Sequence, residues 1–514
     1  MSLSEISSLT TTLNKVCEFL AQWKCQGYIV GGFIRDWLLG RETNDIDIAV
    51  DGDAVSVARE ITQALEGKFV LLDDINGIAR VVITESYQLS AVSFEWHLDF
   101  SSFSGNIESD LARRDFTIDA IATELSQFAS YEPRAQQPRM KLIDPFSGEK
   151  DLRGRIVRGV SEQIFEADAV RLLRAVRLAA ELDFVIEPKT ESLIRCYSQS
   201  IAKVPGERVR EELLRLLTLP RAAYYLRYLD KLGLLPALVP ELAEGKGVEQ
   251  PTIHFWDVFD HSVETVAAIE FLIRESDWKY GNEDILAGAL WSDTIAQHLS
   301  QEVSKGSNHK ALLKLGGLFH DIAKPRTKLL DNAGRAHFLG HTKEGAAMAV
   351  SILERLRFSH REVGLVESLV YHHLRPVQMA NEGLPTQRAI YRYFRDTGDA
   401  GIDILFLALA DYLATYGPLV DMEGWKGCCQ LINYISTEHG KQQTRFLPVK
   451  LVDGHDLMNI FDLIPGPLVG ELLALVHEAQ ASGELSTKEE ALALVQKEMS
   501  LRAERSNPSR TKVK

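Results

Sequence analysis

The stretch from Tyr28 to Val50, YIVGGFIRDWLLGRETNDIDIAV, constrains the fold more than any other part of the chain. It begins with strand-forming residues that end at Gly31 and Gly32, where the missing Cβ lets the backbone bend tightly and lie close to a ligand. A helix opens at this bend, and a second strand follows the helix. We predict that the backbone N–H groups at the start of the helix form, together with Arg35, a cradle for a triphosphate.

The second strand contains two aspartates in the order Asp45-Ile46-Asp47-Ile48. Because side chains alternate along a strand, both carboxylates lie on one face and the isoleucines lie on the other. Two neighbouring carboxylates repel each other unless a divalent cation lies between them. An Asp-x-Asp pair is common on surface strands, but its position after a glycine bend favours a metal site.

Length and composition limit the class of protein. At 514 residues the chain is too long for one hydrophobic core, and we expect about three or four domains. No apolar run is long enough to span a bilayer and no signal peptide begins the chain, so a cytoplasmic location is expected. Five cysteines without a C-x-x-C pair argue against a zinc ribbon or a disulfide framework. The net charge of −15 argues against nucleic-acid binding, except at a local basic face such as 150–215.

A later strand adds a third carboxylate. Between Phe94 and Phe100, alternation places the apolar side chains on one face and Asp99 on the other. A two-metal phosphoryl-transfer site needs a bridging ligand, outer ligands and a carboxylate near the attacking hydroxyl, so Asp99 could complete such a site with Asp45 and Asp47. A solvated strand residue fits the same spacing, and the pattern alone does not separate the two.

Three segments, GGFIRD, NDIDIAV and DLARRDFTIDAIA, carry a resemblance to a known family. They resemble the head of the class II CCA-adding tRNA nucleotidyltransferases and poly(A) polymerases, a branch of the polymerase-β-like nucleotidyltransferases. The resemblance implies that Asp45 and Asp47 bind the catalytic Mg²⁺ ions. It also implies nucleotide contacts from the following residues: Gly31, Gly32, Arg35, and one or both of Arg113 and Arg114. The family usually has Asn at the position of Asp119.

Helical spacing continues from Glu166 to Arg177. Asp168, Arg171 and Arg174 recur every three residues along one side, as they would on an exposed helix with weak ion pairs. The segment also resembles the family's E-D-x-x-R motif, although an alanine precedes the aspartate here. In the family the Asp accepts from an exocyclic amine of the incoming base, and the Arg donates to a ring nitrogen or carbonyl of the same base. This pair favours C and A, which carry the amine. The resemblance leaves CTP plus ATP, or ATP alone, as the nucleotides, with Arg174 near the phosphates.

Histidines become frequent after residue 250. Five histidines and two aspartates there could bind metal ions together. In chain order, these candidate ligands are His261, His320, Asp321, His341, His372, His373 and Asp411. An adjacent His-Asp pair directs one nitrogen and one oxygen at the same point, which suits Mn²⁺, Fe²⁺, Ni²⁺ or Mg²⁺. We expect single histidines elsewhere, namely His298, His309 and His360, to be structural.

The order H…HD…H…HH…D on predicted helices resembles the HD superfamily of metal-dependent phosphohydrolases. A first metal would be held by His261, His320, Asp321 and Asp411, and His341, His372 and His373 could hold a second. Metal-activated water would attack a phosphoester, with Lys324 or Arg326 neutralising the phosphate. A vestigial domain that only binds RNA is the alternative.

The segment DGHDLMNIFDLIPGPLVGELL resembles the closing segment of HD-containing members of the same family. It contains another adjacent pair, His455 and Asp456, but no further ligands accompany the pair, so we expect a structural role. Two helices are predicted after it, over Gly470–Gln480 and Thr487–Met499.

We therefore expect an α+β protein in which a small mixed-sheet head precedes all-α neck, body, HD and tail regions. The expected domains are a nucleotidyltransferase head (1–142), a neck and body with the base template (143–245), an HD domain (246–430) and a helical region that contacts RNA (431–514).

The expected function is a tRNA 3′-end nucleotidyltransferase that adds C and/or A from CTP and ATP by two-metal phosphoryl transfer. An HD phosphohydrolase activity would accompany it. Its partners would be tRNA, CTP and ATP, with no membrane. The alternatives are a poly(A) polymerase, an enzyme that adds only C-C or only A, and an HD phosphohydrolase that retains the head as an RNA-binding module.

Overall fold

The computed structural model describes residues 3–74, 77–86, 93–129, 140–251, 253–380, 383–445 and 451–506. The chain divides into two compact units. The first comprises Met1–Leu213 and Leu229–Leu238, and the second comprises Leu214–Tyr228 and Val239–Lys514. The last eight residues, 507–514, which include Arg510, Lys512 and Lys514, lie outside the described residues.

A six-stranded sheet organises the head of the first unit. Its strands are β1 (Gly27–Val30), β2 (Asp45–Asp51), β3 (Lys68–Asp73), β4 (Ile78–Ser86), β5 (Ser93–Phe103) and β6 (Ala122–Glu124). The spatial order is β3-β4-β5-β2-β1-β6. Strands β2 and β5 are parallel and the other pairs are antiparallel, so the sheet is mixed, as the sequence predicts.

Alternation along β2 is confirmed by its burial. Ile46 and Ile48 are fully buried, whereas the flanking Asp45 is exposed. Five helices accompany the sheet: α1 (Leu3–Gln22), α2 (Gly32–Leu38), α3 (Ala54–Ala64), α4 (Ile107–Leu111) and α5 (Leu125–Ala129). Helix α3 packs on β4 and β5 and begins at Asp53, whose carboxylate accepts from two backbone N–H groups.

Helices form most of the neck and body. They are α6 (Gly148–Gly154), α7 (Ile164–Ala167), α8 (Arg171–Leu182), α9 (Pro188–Tyr197), α10 (Gly206–Thr218), α11 (Ala222–Lys231), α12 (Leu234–Leu238) and α13 (Pro240–Ala243). The single helix predicted over 166–177 is wrong, because the chain breaks between α7 and α8. Asp168 is extended there (φ −155°), and its carboxylate accepts from the N–H of Val170 at 3.3 Å.

The rest of the second unit is also largely helical. Its helices are α14 (Val258–Leu272), α15 (Glu283–Gly288), α16 (Asp293–Ser300), α17 (His309–Phe319), α18 (Lys324–Thr327), α19 (His341–Arg355), α20 (His360–His372), α21 (Arg375–Gln378), α22 (Gln387–Thr397), α23 (Gly401–Tyr416), α24 (Met422–Arg445), α25 (Gly454–Phe461), α26 (Pro467–Ala481) and α27 (Lys488–Ser506). Helices α14, α17 and α23 pack against one another, and α20 packs on α17.

The regions after the head are not entirely helical. Three short strand pairs occur there: β7 (Ile156–Val157) with β8 (Val185–Ile186), β9 (Glu302–Ser304) with β10 (Ser307–Asn308), and β11 (Lys328–Leu330) with β12 (Ala336–Phe338). These pairs are too short to show a period in the sequence.

One stretch, Gln387–Leu419, is long and apolar enough to cross a membrane by length and composition only. It consists of α22 and α23, and 67% of its most apolar window is buried inside the fold. Core helices of water-soluble proteins give the same signal, so the stretch is weak evidence for a membrane segment.

Candidate functional site

The head sheet brings three aspartates to one region. The register of β2 and β5 sets Asp47 opposite Asp99 and Asp45 opposite His97. The pKa of Asp47 is raised to about 6, mainly by burial and also by the charges of Asp99 and Asp45, against the opposing effect of Arg114. A carboxylate in such surroundings is stabilised by a nearby cation.

The three carboxylates are not drawn into one tight cluster. Arg80, opposite Asp99 on β4, donates to both oxygens of Asp99 at 2.6 and 2.7 Å and lies 3.4 Å from Asp45. His97 Nδ1 lies 2.9 Å from Asp45 Oδ1. Asp99 is therefore an ion-paired residue and not the solvated strand residue that the spacing also allowed.

The glycine bend lies directly against this acidic region. Gly31 has a φ of +71°, and a Cβ placed on it would lie 2.5 Å from Arg114 Nη1 and 3.1 Å from Asp47 Oδ2. Only glycine leaves room for Arg114 to reach the bend beside Asp47. Arg114 also contacts Asp110 at 3.4 Å. The structure thus places the guanidinium of Arg114 beside β2, although Arg114 lies more than sixty residues after that strand in the chain.

Arg35 is ion-paired within the protein. It is buried, and its guanidinium donates to Asp36 at 2.8 and 3.1 Å and to Asp119 at 2.7 Å. Two carboxylates neutralise its charge in the structure, and its place in a phosphate cradle stays a prediction. Gly32 begins α2 next to this pair. The aspartate at position 119 is the partner of Arg35.

A cavity of about 280 Å³ in the first unit is lined mostly by arginines. Its lining residues are Asp110, Arg113, Arg114, Asp115, Arg171 and Arg174. Arg174 pairs with Asp115 at 3.1 Å and with Glu212 at 3.0 Å. Arg171 donates to the backbone carbonyl of Arg113 at 2.8 Å and interacts electrostatically with Asp168. Such a cavity favours an anion with several phosphates.

Asp168 has a partner that the sequence did not reveal. Arg208 on α10 donates to both of its oxygens at 2.6 and 3.0 Å. The charge and hydrogen bonds of Arg208 lower the pKa of Asp168 although burial opposes them. The predicted alignment of Asp168 with Arg171 along one helix is replaced by an ion pair between the α7–α8 break and α10. No sequence pattern relates residues forty positions apart.

The second unit gathers its predicted metal ligands from three places. His261 lies on α14, Asp411 lies on α23, and His320 with Asp321 directly follows α17. His261 Nε2 is 3.0 Å from Asp411 Oδ1, 3.4 Å from Asp321 Oδ2 and 3.1 Å from His320 Nε2. Burial opposes protonation of His320, yet the charges of Asp321 and Asp411 raise its pKa to about 10. The surroundings favour positive charge.

Hydrogen bonds fix the orientation of three imidazoles in this cluster. In His320, His341 and His373, Nδ1 lies 2.7 or 2.8 Å from the backbone carbonyl three residues earlier, so Nδ1–H donates to it. This bond leaves the Nε2 lone pair directed toward Asp321, as in metal-ligating histidines. Nε2 of His341 and of His373 lies 3.5 and 3.9 Å from Asp321 Oδ1. These three atoms are buried without a hydrogen-bond partner among the described residues. The residues present therefore fit a divalent metal ion.

His372 does not join this cluster, which contradicts its predicted role as a ligand. Adjacent residues on a helix point about 100° apart, so His372 and His373 cannot face the same centre. His372 instead contacts the ring of Tyr371, and burial and Arg375 lower its pKa. His341 and His373 are placed with Asp321.

Of the two predicted phosphate-neutralising residues, only Lys324 faces the cluster. Its Nζ is 2.5 Å from Asp321 Oδ2, whereas Arg326 is paired with Glu244 on the surface. His254 was missed by sequence reasoning. It is partly buried, its ring is 5.5 Å from that of His261, and burial lowers its pKa to about 4. A single histidine gives no signal of such a position.

Comparisons with known proteins cover nearly the whole chain. Family models match for the poly(A) polymerase head domain (27–158), the RNA and SrmB- binding site of polymerase A (183–246), the HD domain (258–416) and tRNA nucleotidyltransferase domain 2 (430–495). These matches account for the order of the segments singled out in the sequence. Both the nucleotidyltransferase and HD domains use divalent metal ions.

The chain is similar over most of its length to two bacterial enzymes. It is 33% identical to an A-adding tRNA nucleotidyltransferase from Deinococcus radiodurans, covering 91% of this chain and 94% of the relative. It is 32% identical to a CC-adding tRNA nucleotidyltransferase from Thermus thermophilus, covering 91% and 92%.

Solved structures share the fold. A Thermotoga maritima CCA-adding enzyme complexed with tRNA has a TM-score of 0.55 at 21% identity, covering 96% of both chains. A CCA-adding enzyme in complex with CTP has a TM-score of 0.59 at 20% identity, covering 97% of this chain and 99% of its own. Taken with the family models and the full-length relatives, these findings establish that the chain belongs to the class II CCA-adding tRNA nucleotidyltransferase family and carries an HD domain.

Proposed function

We propose that this enzyme adds C and/or A to the 3′ end of tRNA, using CTP and ATP. The observation that carries the proposal is the contact of the glycine bend with Arg114 and Asp47, next to an arginine-lined cavity. In this arrangement, the acidic strand would hold the metal ion and the neighbouring cavity in the same unit would hold the phosphates.

The acidic face fits a divalent cation. Asp45 and Asp47 would hold Mg²⁺, with Asp99 as a third carboxylate whose position Arg80 sets. The raised pKa of Asp47 supports this assignment, since burial and neighbouring acids leave its negative charge undercompensated. When bound, the metal would stabilise negative charge on the attacking and leaving oxygens.

The residues of this chain would orient the reactants. Arg114 would bind the triphosphate beside the glycine bend, with Arg113, Arg171 and Arg174 lining the rest of the cavity. The terminal 3′-OH of the tRNA would attack the α-phosphate, and pyrophosphate would leave. Positioning and charge neutralisation supply most of the catalysis in such a reaction.

Asp168 and Arg171 are proposed to select the base. An aspartate accepts from the exocyclic amine of C or A, which U and G cannot present at that position. Arg208 donates to both oxygens of Asp168 in the structure, and Asp168 would accept from the base amine with a remaining lone pair while Arg208 orients it. Both A-adding and CC-adding relatives are similar to the chain, and the specificity is therefore left as C, A or both.

The test uses a tRNA that ends at the discriminator base and one that ends in C-C. Each is incubated with CTP, ATP or both, and the products are sequenced. Asp47→Asn should abolish incorporation while tRNA binding is retained, and incorporation at the wild-type rate would refute the metal assignment. A homopolymeric A tail would favour the poly(A) polymerase alternative, whereas a stop after C-C, A or C-C-A defines the added sequence.

A second activity, phosphoester hydrolysis, is proposed for the HD cluster. The buried and unpartnered Nε2 atoms of His341 and His373 beside Asp321 support it. A divalent ion there, such as Mn²⁺, Ni²⁺, Fe²⁺ or Mg²⁺, would supply an activated water. Lys324 would neutralise the phosphate.

Substitution of the HD ligands distinguishes the remaining alternatives. His320→Ala should remove hydrolysis of 2′,3′-cyclic phosphates and leave nucleotide addition intact. If the same change removed all activity, the head would be only an RNA-binding module. If the wild-type protein hydrolysed no phosphoester with any of these metals, the domain would be vestigial.

We also propose the domain limits 1–142, 143–245, 246–430 and 431–514, with RNA contacts in the last, and a cytoplasmic location. The family matches support the order of these domains, although the head match extends to residue 158.

A further inference from the structure

Three side chains of the second unit converge at a place separate from the HD cluster. His298 lies on α16, His309 begins α17 and Asp403 lies in the first turn of α23. His298 Nε2 is 2.9 Å from Asp403 Oδ1, and His309 Nδ1 is 2.6 Å from Asp403 Oδ2. All three ligand atoms lie within 4.8 Å of one another. Single histidines far apart in the sequence thus meet at one carboxylate.

This cluster is independent of the HD ligands. Asp403 precedes Asp411 by eight residues on α23, which corresponds to roughly 12 Å along the helix axis. None of its three residues is among the candidate ligands of the HD cluster that the sequence predicts.

The electrostatics of the cluster favour a cation. Asp403 is completely buried, and its ion-pair partners within the described ranges are the two histidines. The imidazole rings of those histidines have centroids only 4.2 Å apart, so both cannot be protonated without repulsion. Each ring nitrogen that faces Asp403 donates its N–H to the carboxylate when no metal ion is bound, and would have to release that proton to bind one.

A cavity of about 390 Å³ lies against the histidines. His298 and His309 line it, and Glu302, Thr397 and Asp399 supply further oxygen atoms around it. A metal ion held by three protein ligands needs such space for water or for additional oxygen ligands.

We propose that His298, His309 and Asp403 bind one divalent first-row transition-metal ion. Two imidazoles and one carboxylate form a mixed nitrogen and oxygen set suited to Zn²⁺, Fe²⁺, Co²⁺ or Ni²⁺. Metal–ligand bonds of about 2.0–2.2 Å separate neighbouring ligand atoms by roughly 3.0–3.5 Å. The nitrogens and oxygens are 2.6 and 2.9 Å apart here, so binding requires each pair to separate by up to about 1 Å. The ion would join α16 and the start of α17 to α23.

The experiment uses the full-length chain with the HD cluster disabled by His320→Ala and Asp321→Asn. Metal-stripped protein is titrated with Co²⁺, and visible absorption bands report nitrogen and oxygen coordination while elemental analysis gives the stoichiometry. We expect this background to bind one more equivalent of Co²⁺ than the same background with Asp403→Asn, and its unfolding temperature to rise on binding. Adding Asp403→Asn or His298→Gln should weaken binding about 10- to 100-fold. His360→Gln, an exposed histidine of the same unit, is the matched control and should bind as the background does.

The wild-type protein provides a second measurement should the disabled background fold poorly. It should bind one more equivalent of Co²⁺ than Asp403→Asn does. The proposal is overturned if the disabled background binds no ion, or if wild type and Asp403→Asn bind the same number, because the three residues would then form a hydrogen-bonded triad only.

Discussion

Replacing Gly31 with alanine tests the geometry on which the head site depends. The backbone at Gly31 has φ +71° and ψ −138°, a combination that costs a residue with a Cβ about 1–3 kcal/mol. The new Cβ would also lie 2.5 Å from Arg114 Nη1 and 3.1 Å from Asp47 Oδ2. The guanidinium is the end of a flexible side chain and would move away from the bend.

The consequence for catalysis follows from that movement. If Arg114 binds the triphosphate, its displacement removes a charge-assisted hydrogen bond worth about 1.5–3 kcal/mol. Since about 1.4 kcal/mol corresponds to a tenfold change, kcat/KM for nucleotide incorporation should fall about 10- to 150-fold. The assay is single-nucleotide extension of tRNA, with thermal unfolding measured in parallel.

Gly40→Ala is the matched control. Gly40 also has a positive φ, +68°, but a Cβ there would meet nothing within 4 Å. Both variants place a Cβ on a residue with positive φ, and only Gly31→Ala should lose activity. Wild-type kcat/KM in Gly31→Ala, or an equal activity loss in Gly40→Ala, would refute the reasoning.

Three further predictions concern other parts of the chain. Arg208→Ala should raise the KM for CTP or ATP several-fold, because Asp168 loses the ion pair that orients it. Initial rates measured over a series of nucleotide concentrations give the KM, and an unchanged KM would contradict the prediction. Lys314→Ala should lower the free energy of unfolding by about 3–5 kcal/mol, since Lys314 is fully buried and 3.0 Å from Glu270. The more exposed Lys310→Ala is its control, and equal unfolding temperatures for the two variants would disprove the assignment. Chelation of divalent metal ions should abolish nucleotide incorporation and phosphoester hydrolysis. Mg²⁺ should then restore incorporation, and a transition metal should restore hydrolysis. An activity that persists in excess chelator would contradict the metal site assigned to it.

Local patterns predicted the parts of this protein that neighbouring residues define. Alternation along β2 fixed which face carries Asp45 and Asp47, and the adjacent His320 and Asp321 predicted a metal-binding cluster. Alternation in β5 could also have placed His97 on the same face as Asp99, but its contact with Asp45 depends on the parallel pairing of the strands.

Contacts between distant segments could not be predicted in this way. Arg35 was expected to face phosphate because it follows a glycine bend, yet Asp119 reaches it from a different element. His373 lies with Asp321 and His341, and His372 does not. The packing of α20 on α17 determines which of the two adjacent histidines faces Asp321.

The sequence alone determined the order of the domains, the acidic strand and the ligand types, since these depend on residue identity and short spacing. The tertiary structure decided which charges are neutralised within the protein and which stay available. Arg208 on Asp168, Arg80 on Asp99 and the two histidines on Asp403 all come from remote segments. Electrostatic interactions depend on distance in space, which a linear pattern does not contain.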